Sequence, residues 1–346
     1  MTDLFSHSTT RQHLPETPVP ITQPGRHEPA KKVVNGVVSL AAALVKRLPA
    51  YRSWQQHELT HIVQDGILCE TRLGPVEYQL HGSGPAVIYA HGTPGGYEQG
   101  SAFAHFIDTD QCTFISPSRP GYLRTPLTAG ATPEQQADLY VALLDALGIE
   151  RASIIGFSGG GPSALQFAIR HPDRCRSLIM IGGITQRNVL DENYQALPLL
   201  KRFSARLEER LLCSDPFIFL ALPIATRIRH GVAVAGMLCS GAAIHLRQAG
   251  YDNDWAQFAT IGNYPLERIT APTLVVHGTH DQDVPFADAQ LLMEQVSNVT
   301  LVTHARGDHA MFYTHAHTVM PMVRDFILHE QSAAELAVPH KKRIEA

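Results

Sequence analysis

Residues 154–165 read IIGFSGGGPSAL. A β-branched apolar run breaks at Gly156, Ser158 stands among Gly156, Gly159, Gly160 and Gly161, and apolar residues at helical spacing follow. A G-x-S-x-G stretch between strand and helix forms a nucleophile elbow, a tight turn that lifts a serine hydroxyl clear of the sheet. Gly156 and Gly160, two residues to either side, lack the Cβ that would hold strand and helix apart. The helix to come turns Ala164, Leu165, Ala168 and Ile169 inward and stops before Pro172. Its N-terminal N–H groups and positive dipole end face the serine. A phosphate-cradling turn would need GxxxxGK[ST] or GxGxxG, and neither pattern is present. A turn that merely packs is the remaining alternative, and it is tested by what else the chain supplies.

An attacking serine needs a base, and the base needs an acid to orient it. TLVVHGTHDQDVP (273–285) sets Asp281 and Asp283 just past a strand-like run. VTLVTHARGDHAMF (299–312) does the same for His304, Asp308 and His309. The order Ser, Asp, His along the chain is that of one particular fold, and the spacing alone leaves both aspartates open.

Short apolar runs surround these segments: AVIYA (86–90), CTFIS (112–116), ASIIG (152–156), SLIMIG (177–182), TLVVHG (273–278) and VTLVT (299–303). Apolarity without alternation marks strands buried on both faces of a parallel sheet. TRLGPVEYQLHG (71–82) reads as two short strands turning at Gly74-Pro75. TPEQQADLYVALLDALG (132–148) is a helix with Thr132 and Gln135 as a capping box, Pro133 at its first position, an inward stripe of Ala137, Tyr140, Leu144 and Leu147, and Gly148 ending it. Alternating strands and helices predict an α/β architecture with helices on both faces. Roughly ninety residues separate the runs at 177–182 and 273–278, far more than a crossover requires. DPFIFLALPIATRI (215–228) and GVAVAGMLCSGAAIHL (231–246) within that span read as apolar helices of a lid.

These features together resemble the α/β-hydrolase superfamily of serine hydrolases. HGTPGG (91–96) resembles its oxyanion segment, SRPGYLRT (118–125) the loop after its fourth strand, GFSGG (156–160) the elbow, HGTHDQDVP (277–285) the acid loop and GDHAMF (307–312) the histidine loop. The resemblance implies a mostly parallel eight-stranded sheet with a helical lid inserted after strand 6. It implies Ser158 as nucleophile, His309 as general base and Asp281 as acid. It also implies an oxyanion hole from the backbone N–H groups of Thr93 and Gly159, with no cofactor and no metal. Asp283 then falls at a helix start, His304 at a strand end, and His91 becomes a structural hydrogen-bonding residue. Arg119 and Arg124 are open between meeting a substrate carboxylate and serving structure.

The domain reading follows: a Pro-rich tail over 1–32, a helical segment over 33–65, a hydrolase core over 66–185 and 266–335, a lid over 186–265, and a tail over 336–346. KKVVNGVVSLAAALVKRL (31–48) has one apolar face flanked by Lys31, Lys32, Lys46 and Arg47. That face either docks on the body of the protein or makes a weak contact with a membrane surface through residues 33–48.

Composition excludes several classes. A net charge of −4 without a basic patch argues against nucleic acid. Cys69, Cys112, Cys175, Cys213 and Cys239 form no CxxC pair, so reduced thiols and a cytoplasmic location are expected. His309, His315 and His317 lack an HExxH or matching carboxylate spacing, which disfavours a metal site. A serine at the elbow, where dehalogenases and epoxide hydrolases of the family use aspartate, favours acyl transfer on a small-molecule acyl substrate. A carboxylic ester is the first expectation. A proline-iminopeptidase-like amidase, with Glu192, Glu208, Glu209 or Asp215 for the amine, a carbon–carbon bond hydrolase and a non-catalytic binding protein stand behind it.

Overall fold

The computed structural model describes residues 39–107, 109–189, 204, 207, 211, 213–227, 231–333 and 341–345. The chain divides into a unit of Met1–Ala41 and a unit of Ala42–Ala346, and the second carries the whole sheet. The apolar runs form strands β3 (Ala86–Ala90), β4 (Thr113–Pro117), β5 (Ala152–Phe157), β6 (Cys175–Ile181), β7 (Thr273–Gly278) and β8 (Val299–His304). An antiparallel hairpin, β1 (Ile67–Thr71) and β2 (Gly74–His81), adds to one side, and β9 (Lys341–Glu345) to the other. Among the described residues the sheet order is β1-β2-β4-β3-β5-β6-β7-β8-β9, parallel from β4 onward.

Two details differ from the expectation. The hairpin turns at Arg72 and Leu73, two residues earlier than Gly74-Pro75, because Thr71 Oγ1 donates to Gly74 O at 2.7 Å and accepts from Leu73 N at 3.2 Å. Gly74 and Pro75 are the first residues of β2. Among the described residues the sheet also has nine strands where eight were expected: Lys341–Glu345, read as part of a tail, pairs in parallel with Val299–Thr303. Its charges hide the period of a strand, and its register comes from the neighbouring edge.

Helices α1 (Pro49–Gln64), α2 (Tyr97–Ala104), α3 (Pro133–Ala146), α4 (Gly161–Arg170), α5 (Asp215–Ala225), α6 (Gly231–Cys239), α7 (Gln248–Phe258), α8 (Ala287–Gln295), α9 (Met311–Thr314) and α10 (Ala316–Ala333) complete the described elements. The capping box on α3 forms, with Gln135 N–H donating to Thr132 Oγ1 at 3.3 Å. On one face of the sheet Leu143, Leu144, Leu165 and Phe167 of α3 and α4 are wholly buried, each contributing about 1.5–3 kcal/mol of burial. On the other face Phe103, Phe312, Val319 and Val323 cover the strands. Helices therefore lie on both faces.

Within the expected helix over 33–48, residues 33–38 lie outside the described ones; residues 39–45 are helical and α1 starts afresh at Pro49. Leu44 and Leu48 are 58% and 45% exposed, so the described surface does not bury that face. Helix α1 itself docks: Tyr51 and Ile62 are buried, and Tyr97 OH donates to the carbonyls of His61 and Ile62. No helix among the described residues is long and apolar enough to cross a membrane.

Candidate active site

Strand β5 delivers Ser158 into a tight turn at the carboxyl end of the sheet. Ser158 has φ of 49°, the left-handed region that a side chain enters only under constraint. The glycines around it relieve the crowding. A Cβ on Gly160 would press into the carbonyl oxygen of Ala90, and one on Gly156 would come within 2.7 Å of Ala164 Cβ. Strand β5 and helix α4 can meet only over bare backbone here.

Ser158 Oγ lies 3.0 Å from His309 Nε2. His309 Nδ1–H donates to Asp281 Oδ2 at 2.8 Å. The other carboxylate oxygen of Asp281 accepts the backbone N–H groups of Asp283 and Val284 at 3.0 and 2.9 Å. The imidazole lies over Phe157, with ring centroids 5.6 Å apart. Of the two aspartates left open by spacing, Asp281 is the one aimed at the imidazole, while Asp283 is exposed. His304 stays at the end of β8, its ring tilted against that of His315 with centroids 3.7 Å apart.

Opposed effects set the charge of this group. Burial disfavours the His309 imidazolium, but the charge and hydrogen bond of Asp281, helped by Asp283 and Asp308, outweigh it and lift its pKa to about 9. Burial pushes the other way on Asp281, yet His309 and the backbone donors hold its carboxyl below the usual value. His277, to which sequence reasoning gave no role, is buried behind the pair. Its Nε2–H donates to Val284 O at 2.9 Å and lies 3.5 Å from Asp281 Oδ2.

Residues 91–96, between β3 and α2, run beside the turn. A Cβ on Gly159 would strike Thr93 Oγ1, and one on Gly92 would come within 3.2 Å of Ser158 Cβ, so the two segments expected to supply N–H donors are in contact. His91 is buried and neutral: its Nδ1–H donates to Gly92 O at 2.7 Å and its Nε2 accepts Arg119 N–H at 2.9 Å. Burial and the Arg119 charge hold its pKa well below the ordinary value.

Both candidate arginines are committed to structure. Arg119 is buried and pairs with Asp254 through two bonds of 2.8 and 2.5 Å. Arg124 donates to Glu77 at 2.6 Å. Asp215 is engaged by Ala243 N–H at 2.8 Å and Gln55 Nε2 at 3.2 Å. Glu192, Glu208 and Glu209 lie outside the described residues. Asp281, Asp283 and His309 bring ligand atoms within 4.8 Å of one another. In that set Asp281 accepts from His309 Nδ1–H and from two backbone N–H groups, the arrangement of a proton relay. Ile184, Phe258, Ile261 and Val284 form an apolar cluster beside the turn, and Phe258 lies 2.9 Å from where a Gly159 Cβ would stand.

Residues 85–212 match the family model described as alpha/beta hydrolase fold, and residues 253–335 match that described as TAP-like protein. An alpha/beta hydrolase fold protein from Nakamurella multipartita is 33% identical, with a TM-score of 0.63, over 78% of this chain and 99% of that one. The 2-hydroxymuconate semialdehyde hydrolase of Pseudomonas putida is 27% identical over 258 residues, which span 72% of this chain and 85% of that protein. An uncharacterized hydrolase of Bacillus subtilis is 34% identical over 113 residues, and the match spans 39% of its length.

Proposed function

Because this chain belongs to the alpha/beta hydrolase family, we propose that it is a serine hydrolase that cleaves a carboxylic ester through an acyl-enzyme on Ser158. The in-line contact of Ser158, His309 and Asp281, at 3.0 and 2.8 Å, carries this reading. In it, Ser158 Oγ attacks the ester carbonyl while His309 Nε2 takes the hydroxyl proton. Asp281 holds the imidazole by Nδ1 and stabilises the imidazolium as it forms. The tetrahedral oxygen takes hydrogen bonds from the N–H groups of Thr93 and Gly159, each worth about 3 kcal/mol at the transition state. His309 then protonates the leaving alkoxide, and water releases the acid by the same route in reverse. The apolar cluster of Ile184, Phe258 and Val284 suits a hydrophobic acyl or alkyl group.

Carbon–carbon bond hydrolysis is the second reading, favoured by the likeness to the 2-hydroxymuconate semialdehyde hydrolase over most of that protein's length. It uses the same relay, but the leaving group is a carbon that must receive the proton. Of the carboxylates weighed for the amidase reading, Asp215 is engaged elsewhere, and Glu192, Glu208 and Glu209 lie outside the described residues.

A fluorophosphonate probe should label the wild-type protein and leave Ser158→Ala unlabelled; equal labelling of the two would refute the assignment. A panel of p-nitrophenyl esters, anilides, prolyl amides and vinylogous β-diketones then separates the readings. Turnover of the diketones with little ester hydrolysis would replace the first by the second.

A further inference from the structure

Described residues of the segment between β6 and β7 grip the loop that carries Thr93. Arg247 Nη1 donates to Gly95 O at 2.5 Å. Gln99, which accepts Gly92 N–H at 2.6 Å, donates to Ser240 Oγ at 3.0 Å. The third contact is a carboxylate. Asp254 of α7 accepts from Thr93 Oγ1, from Tyr122 OH and from Arg119 Nη2, each at 2.5 Å, on one oxygen, and from Arg119 Nη1 at 2.8 Å on the other. Arg119 Nη2 also donates to Thr93 Oγ1 at 3.0 Å. The Thr93 hydroxyl thus receives one bond and gives one, which leaves it a single orientation, pressed against Gly159.

We propose that Asp254 is a positioning residue: it fixes the Thr93 hydroxyl and so the Thr93 N–H at the place where the oxyanion forms, coupling a seated lid to a competent site. The inference rests on the serine-hydrolase reading above. Asp254 touches no reacting atom. It shares a buried network with Arg119, whose guanidinium would otherwise be an unpaired charge behind the oxyanion loop. A site assembled this way stabilises the transition state only when α7 is in place, whereas ground-state binding makes no such demand.

The test compares wild type, Asp254→Asn, Thr93→Val, the double variant and Thr93→Ser. A fluorophosphonate probe, p-nitrophenyl butyrate, a trifluoromethyl ketone of the same acyl chain and thermal melting supply the readouts. Asp254→Asn and Thr93→Val should each lower kcat by roughly 10- to 100-fold with KM within about threefold. The ketone's inhibition constant should rise in step with the loss in kcat/KM, and the double variant should be little worse than either single one. Thr93→Ser, which restores the hydroxyl, should regain most of the rate lost in Thr93→Val. Wild-type kcat in a folded Thr93→Val, multiplicative losses in the double variant, or a rise in KM alone would overturn the proposal. Should Asp254→Asn fail to fold, the contrast between Thr93→Val and Thr93→Ser decides. A wild-type protein that the fluorophosphonate does not label refutes the serine reading itself, a result distinct from those.

Discussion

Replacing Asp281 with asparagine should move the ionisation of His309 and with it the pH dependence of the site. In the folded chain His309 is lifted from 6.5 to about 9, a preference for imidazolium of roughly 3 kcal/mol. Asp281 is the main source of that lift, and burial opposes it. Without the carboxylate, burial meets only Asp283 and Asp308, and the His309 pKa falls toward or below its ordinary value. Only neutral imidazole can take the Ser158 proton. The rate of inactivation by a fluorophosphonate should therefore rise in the wild type across a limb centred near 9. In Asp281→Asn the limb should move well to the acid side while the plateau drops by roughly 10³–10⁴-fold, through loss of orientation and of imidazolium stabilisation. Stability carries the same linkage. A pKa raised by folding gives stability that is whole below about 6.5 and lost as pH climbs through about 9. Melting temperature should decline over that window in the wild type and stay flatter in the variant. A wild-type limb near 6.5, or an unmoved limb in Asp281→Asn, would refute the reasoning.

Gly160→Ala should cost about 1–3 kcal/mol or more, since the new methyl would press into Ala90 O and come within 2.8 Å of His91 O, neither of which can yield without moving β3; a melt within half a kcal/mol of wild type would show that the elbow has room. Leu44 and Leu48 stand exposed beside Lys46 and Arg47, and we propose a weak membrane-surface contact for them. Full-length protein is then expected to co-sediment with anionic vesicles and Leu44→Glu to do so less; identical sedimentation would remove that expectation.

Motifs that obey local rules were legible before any coordinate. The elbow glycines, the α3 capping box and the chain order of Ser158, Asp281 and His309 are all short-range patterns whose physics sits within a dozen residues. The choice of Asp281 over Asp283 needed the resemblance or the geometry, because both follow the same strand. Asp254 had no signal: it is one of two acids on a polar helix, and its partner Arg119 lies 135 residues earlier. His277 was hidden in the same way inside an apolar run. The turn at Arg72 and Leu73 was missed because Gly-Pro is the stronger turn signal, although here it opens a strand. Strand β9 was missed because its cations break the apolar pattern on which strand reading depends.

Those cations also say how the sheet ends. Lys341, Lys342 and Arg343 are exposed along the outermost strand, whose free backbone groups would otherwise invite another chain to add itself. A second copy pairing there in parallel register would bring three positive charges against the same three, an arrangement that cross-strand repulsion disfavours. The least strand-like sequence in the described sheet thus serves as its fence, disfavouring in-register growth from molecule to molecule at that side by charge.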